Sequence, residues 1–161
     1  MDTEDLGRSP ILNWILKPAG LLMGSRVRGL FFNPVKTLEG AGIKPGQTIL
    51  EVGCGTGFFT VPAGRMLGGN GSLIAMDAVA GFVDVVQKKV DADGLDNVHV
   101  ERRDVLKTGL ENSSIDVALL FGVLPWPALP LRKLLPEMYR VLKTDGRIAV
   151  WMFPVAGWVP G

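Results

Sequence analysis

The sequence predicts a doubly wound α/β domain built on a mostly parallel sheet. Three observations carry that expectation. Short apolar runs of strand length alternate with amphipathic runs of helix length from Pro34 onward. A glycine-rich loop links the first strand-like run to the helix after it, and turn residues separate most of the remaining segments.

In chain order, Pro34–Ala41 reads as a short helix that stops at Gly42, and Lys44-Pro45-Gly46 as a turn. Thr48–Val52 is a short apolar run suited to a strand buried on both faces. After the glycine loop, Phe58–Leu67 reads as a helix with Pro62 in its first turn, where a missing N–H costs little. Gly68-Gly69-Asn70-Gly71 breaks the chain, and Ser72–Met76 is the second strand. Val79–Ala92 is the next helix, with Phe82, Val85, Val86 and Val90 as its apolar face. Asn97–Val100 is a third, weaker strand, and Val105–Ser113 reads as a loop with room for a short helix. Ser114–Phe121 contains the fourth strand. Leu129–Leu142 is a helix with apolar residues at Leu131, Leu134, Leu135, Met138 and Leu142. Thr144-Asp145-Gly146 turns into a fifth strand over Arg147–Phe153.

Composition narrows the function classes. The chain has 161 residues, so one domain is the default, with an apolar and basic arm over residues 1–33 and the domain over 34–161. A 47% hydrophobic content with a net charge of +1 opposes disorder and gives no bulk attraction to nucleic acid. The single cysteine, Cys54, excludes an internal disulfide and fits a reducing, cytoplasmic setting. The single histidine, His99, excludes a paired-histidine metal site and weakens a catalytic-triad reading; no metal is expected. Three acids at the start, Asp2, Glu4 and Asp5, oppose a signal peptide. In Ile11–Phe32 the charges Lys17, Arg26 and Arg28 interrupt an apolar stretch short of the roughly 20 residues a membrane span requires. Trp14, Leu16, Leu21, Leu22 and Met23 beside those cations leave open peripheral membrane contact, or packing on the domain or a partner.

The chemistry centres on Glu51-Val52-Gly53-Cys54-Gly55-Thr56-Gly57-Phe58-Phe59. In an open α/β sheet, ligands bind beyond the carboxyl ends of the strands, where strand order reverses. Gly53 and Gly55 allow tight turns and close approach of a ligand to the backbone, and the next helix offers N–H groups to an anion. The dinucleotide pattern G-x-G-x-x-G/A started at Gly53 places Phe58 at its last position and fails, which opposes a dehydrogenase. Glu51 opposes it more firmly, because an acid there repels a pyrophosphate and suits a cation such as an amino-acid ammonium. S-adenosylmethionine has that zwitterionic end. Asp77, at the end of the second strand, can accept hydrogen bonds from both ribose hydroxyls or serve as a helix N-cap. Asp104 can accept from an adenine amino group, with the next backbone N–H serving the ring, or act as a turn residue. Cys54 reads mainly as a small loop residue, and His99 as a surface or satisfied residue rather than a base.

These motifs resemble, in order, those of the class I S-adenosylmethionine-dependent methyltransferases. ILEVGCGTGFFT resembles their glycine motif, AMDAV their ribose-binding acid, RRDV their adenine-binding Asp, and IDVALLFGVL their fourth strand with the loop beside the methyl group. EMYRVLKTDGRIAVW resembles the helix, turn and fifth strand of the ubiquinone-biosynthesis-like and arsenite-methyltransferase-like (type 11) group. The resemblance runs from Pro34 to Phe153 and implies a Rossmann-like methyltransferase fold with S-adenosylmethionine as cofactor. The implied cofactor contacts are Glu51, Gly53, Cys54, Gly55, Gly57, Phe58, Asp77, Ala78, Asp104, Val105 and Phe121.

The segment Phe121-Gly122-Val123-Leu124-Pro125-Trp126-Pro127 carries no titratable group and no Asn-Pro-Pro-Tyr-like motif. It suggests a small apolar or aromatic acceptor, and no catalytic residue stands out; Leu124 and Trp126 could equally shield the sheet end. The family sheet has seven strands, whereas Pro154–Gly161 is too short for the last two. The fifth strand is thus expected to expose an edge, covered by the arm, by a second copy in a homodimer, or by the rest of a longer protein. The rival function is a cofactor-binding partner subunit that does not itself transfer methyl groups.

Overall fold

The computed structural model describes residues 33–123 and 130–152. The expectations for the arm, for Leu124 and Trp126, and for the tail after Met152 lie outside those residues. The order is α1 (Pro34–Gly40), β1 (Thr48–Val52), α2 (Thr60–Leu67), β2 (Ser72–Asp77), α3 (Ala80–Asp93), β3 (Val98–Arg102), β4 (Ile115–Phe121), α4 (Leu131–Val141) and β5 (Leu142–Trp151).

The sheet has the order β3-β2-β1-β4-β5, and every pairing is parallel. The chain steps outward from β1 to β3, then crosses back to place β4 on the other side of β1. The reversal opens a crevice at the carboxyl ends of β1 and β4, where such sheets bind ligands. Helices cover both faces because successive strand residues point to opposite sides. On one face Ile49, Leu73, Val117 and Leu119 meet Leu38 of α1, Ala63 and Leu67 of α2, and Val86 and Val90 of α3. On the other, Leu50, Val52, Ala118 and Leu120 meet Leu134, Met138 and Val141 of α4.

Local chemistry explains most boundaries. Asn33 caps α1, its Oδ1 accepting from the N–H groups of Val35 (3.0 Å) and Lys36 (3.2 Å), and Pro34 follows at the first helical position. The guanidinium of Arg147 donates to the carbonyls of Ala41 and Gly42, tying the end of α1 to β5. Gly94 ends α3 in the left-handed conformation, φ +63°.

Four expectations require correction. The second helix begins at Thr60, not Phe58, because Gly57 at φ +79° and its N–H bond to the Cys54 carbonyl keep the chain in a turn. The third strand is Val98–Arg102, since pairing with β2 continues to Asp77↔Arg102. The Thr144-Asp145-Gly146 turn sits inside β5 rather than before it. Pairing moves from Ile115↔Leu142 to Val117↔Arg147, so β5 bulges while both flanks stay in the ladder. Finally, α4 buries Leu134, Met138 and Val141, whereas Leu131 and Leu135 are exposed. A helix lying on a flat sheet buries a narrower stripe than the sequence pattern suggested.

The segment between β3 and β4 is held by side chains rather than by a helix. Thr108, fully buried, donates through its N–H (2.8 Å) and hydroxyl (2.6 Å) to Oε1 of Glu137 on α4. Arg140 donates to the same carboxylate, to the Leu110 carbonyl and to Asn112. The Arg140 hydrogen bond, aided by Thr108, holds the Glu137 carboxyl down at about 2.

Candidate functional site

β1 delivers Glu51 and β2 delivers Asp77 to neighbouring positions at the carboxyl end of the sheet, since Glu51 pairs with Ala75 and Val52 with Met76. The loop between β1 and α2 is fastened across the same edge. The N–H groups of Gly53 and Cys54 both donate to the Met76 carbonyl, at 2.8 and 3.0 Å, and Gly55 N–H donates to Oδ2 of Asp77 at 2.9 Å. Oδ1 of Asp77 accepts from Val79 N–H at 2.9 Å. Asp77 therefore binds the glycine loop to the start of α3; Val79, not Asp77, holds the N-cap position of that helix. The carboxylate retains acceptor capacity for a further donor.

The glycines are required here. Gly53, Gly55 and Gly57 stand at φ +72°, +52° and +79°, a region side chains rarely enter. A Cβ on Gly53 would lie 2.5 Å from Val123 Cγ1, so the loop touches the segment after β4. A Cβ on Gly55 would meet nothing within 4 Å, which leaves open space over the middle of the loop. α2 then starts with no side-chain cap on its N–H groups. This is a backbone cradle beside two buried acids.

Glu51 is 3% exposed and accepts a 2.7 Å hydrogen bond on Oε2 from the hydroxyl of Thr60. Burial pushes its carboxyl up to about 8, the Thr60 bond offsets part of that, and the Asp77 charge adds to it. Burial also raises Asp77, opposed by the N–H groups of Val79, Gly55 and Ala78. A cation entering the site would favour the charged form of Glu51. The Cys54 thiol is pushed well up by burial and then by Glu51 and Asp77, which opposes a thiolate nucleophile.

The remaining expected residues flank this centre. Asp104 and Val105 follow β3; Oδ1 of Asp104 accepts from Leu106 N–H at 2.9 Å, so the carboxylate also shapes a turn. Phe121 ends β4, packed edge-on against Phe59 with ring centroids 4.8 Å apart; Phe59 also meets Phe58 at 5.0 Å and Trp151 at 5.6 Å. A groove of about 640 Å³ between α1 and β5, lined in part by Lys36, Thr37, Phe121 and Trp151, adjoins this aromatic cluster. His99 is exposed on β3, away from the carboxyl end. Two residues of the site escaped the sequence reading. They are Thr60, which binds Glu51, and Lys89 of α3, whose ammonium donates to the Thr56 carbonyl at 2.6 Å. Thr60 closes the glycine motif ILEVGCGTGFFT, but nothing in the motif shows that its hydroxyl faces Glu51, and Lys89 reaches the loop only through the fold.

The residues fit a zwitterionic nucleoside ligand, with buried acids for a cation and for hydroxyl donors and a helix start without a side-chain cap for a carboxylate. Comparison with known proteins agrees. Residues 49–146 match the family described as methyltransferase domain. The chain is 28% identical over 125 residues to a demethylmenaquinone methyltransferase of Lactobacillus johnsonii, covering 76% of this chain and 48% of that protein. It is 30% identical over 118 residues to a ubiquinone/menaquinone biosynthesis C-methyltransferase of Vibrio campbellii, covering 73% and 45%. The chain thus spans about half the length of these curated relatives. A crystal structure of a SAM-dependent methyltransferase from Aquifex aeolicus superposes with TM-score 0.76 at 30% identity, covering 86% of this chain and 71% of that one. The parallel sheet with its crevice, the left-handed glycine loop beside two buried acids and these matches converge, and the chain belongs to the class I S-adenosylmethionine-dependent methyltransferase family.

Proposed function

We propose that this domain binds S-adenosylmethionine across the carboxyl ends of β1 to β4 and transfers its methyl group to a small apolar or aromatic acceptor. The observation that carries the reading is the buried Glu51 carboxyl beside a loop whose three glycines are all left-handed and whose centre is open. Glu51 pairs with the ligand ammonium, and the uncapped start of α2 receives its carboxylate. Gly53, Cys54, Gly55, Gly57 and Phe58 let the chain pass close along the methionine part. Asp77 and Ala78 take the ribose, Asp104 and Val105 the adenine, and Phe121 borders the methyl group. When bound, the cofactor supplies an electrophilic methyl on a sulfonium. The protein positions the two reactants and keeps water away, which is the main catalytic lever for such a displacement.

An apolar or aromatic acceptor is supported by the Phe58, Phe59, Phe121 and Trp151 cluster at the ends of β4 and β5. The names of the relatives, which act in quinone biosynthesis, agree with it. Two further readings accompany the proposal. The apolar and basic arm would bring the domain to a membrane surface where such acceptors partition. β5 is one of the two outer strands among the described residues and exposes Val150, with Met152 exposed just after it, which supports pairing with a second copy.

Calorimetric titration with S-adenosylmethionine and S-adenosylhomocysteine tests the site, and labelled methyl transfer to quinone and phenol acceptors tests the reaction. Binding without transfer to any acceptor would favour a non-catalytic partner subunit. No binding by folded protein would overturn the proposal.

A further inference from the structure

We infer that Thr60 is a positioning residue of this site, holding the Glu51 carboxylate in the orientation that receives the ligand ammonium. The inference rests on the reading of Glu51 given above. Thr60 opens α2, its side chain is fully buried, and its hydroxyl donates to Oε2 of Glu51 at 2.7 Å. A glutamate on a strand has several staggered rotamers, so an interior carboxylate needs a directional donor to select one. Threonine suits that task because its branched Cβ restricts χ1 within a helix.

Thr60 stands at the first position of α2, after a turn rather than after a helical turn, so its hydroxyl has no helical carbonyl four residues back and serves Glu51 instead. The Lys89 ammonium fastens that preceding turn, donating to the Thr56 carbonyl at 2.6 Å. Val86, one turn earlier on α3, packs beside Gly57, where a Cβ would lie 3.2 Å from its Cγ2 and 3.7 Å from Thr60 Oγ1. The strand, the loop, α2 and α3 therefore meet at this hydroxyl. The titratable group that acts on Glu51 is Asp77 of β2, and Glu51 in turn acts on the Cys54 thiol of the loop.

The test is calorimetric titration of the full chain and its Thr60→Val, Thr60→Ser and Glu51→Gln variants. Two ligands are compared: S-adenosylmethionine, and 5′-methylthioadenosine, which shares the nucleoside but has no ammonium. Thr60→Val is expected to weaken S-adenosylmethionine about tenfold, the worth of one hydrogen bond to a charged group, and to leave methylthioadenosine unchanged. Thr60→Ser restores the hydroxyl and should bind both ligands as the wild type does. Equal loss of both ligands in Thr60→Val, or a Thr60→Ser variant as weak as Thr60→Val, would make Thr60 a packing residue and overturn the inference. If Thr60→Val does not fold, Thr60→Ala takes its place in the same comparison. Glu51→Gln separates the two claims. If it keeps full S-adenosylmethionine affinity, the reading of Glu51 itself falls. If it loses affinity while Thr60→Val does not, only the role of Thr60 falls.

Discussion

Replacing Glu51 by glutamine removes a titratable group from the interior while keeping its shape and an acceptor for the Thr60 hydroxyl. In the folded protein the carboxyl is raised from 4.5 to about 8, chiefly by burial. Between those two values the unfolded chain has released the proton and the folded chain still holds it. Stability therefore falls as pH rises through that interval and levels off above about 8. At roughly 1.4 kcal/mol per unit, the loss attributable to Glu51 reaches on the order of 5 kcal/mol at the upper end. Glutamine carries no such proton. The unliganded Glu51→Gln variant should thus gain stability relative to wild type as pH increases, by up to about 1.4 kcal/mol per unit, reaching a constant advantage above pH 8. Urea denaturation of both proteins at several pH values from 5 to 9 measures this directly. The difference cancels titrations common to both. A difference that stayed flat across the range would refute the claim that burial holds the proton on Glu51.

Four other outcomes follow from the same geometry. Affinity for S-adenosylmethionine should rise with pH by up to about tenfold per unit until pH 8, because the carboxyl must lose its proton to pair with the ammonium; a flat calorimetric profile from pH 6 to 8 would contradict this. Asp77→Ala strands the N–H groups of Gly55 and Val79 and should cost about 1–3 kcal/mol in chemical denaturation as well as cofactor affinity. Gly57→Ala, at φ +79°, should destabilise by about 1–2 kcal/mol in the same assay. Glu137→Gln should erase a contribution that is present above 4.5 and lost as pH falls toward about 2, so the wild-type advantage in acid denaturation shrinks across that window.

The strands were legible because a sheet covered on both faces demands continuous apolar runs, and Thr48–Val52, Ser72–Asp77 and Ile115–Phe121 supply them. The α4 face was less legible. Leu131, Leu134 and Leu135 look alike in the pattern, and only contact with the sheet decides that Leu134 is the buried one. The β5 bulge was hidden for a related reason: Thr144-Asp145-Gly146 has turn chemistry, and pairing with β4 on both flanks keeps it within a strand.

The sequence by itself determined the fold class and singled out the glycine loop and the acids Glu51, Asp77 and Asp104 as candidates, because each is a local demand of backbone geometry or charge written in a few consecutive residues. Tertiary structure alone decided what those acids experience. The proton on Glu51 depends on how much water the packed sheet excludes and on Thr60, nine residues onward. The shape of the loop depends on Asp77 and Lys89, which lie 22 and 33 residues from their partners Gly55 and Thr56. Burial and hydrogen bonds across the fold are properties of distance in space, and a pattern along the chain does not carry them.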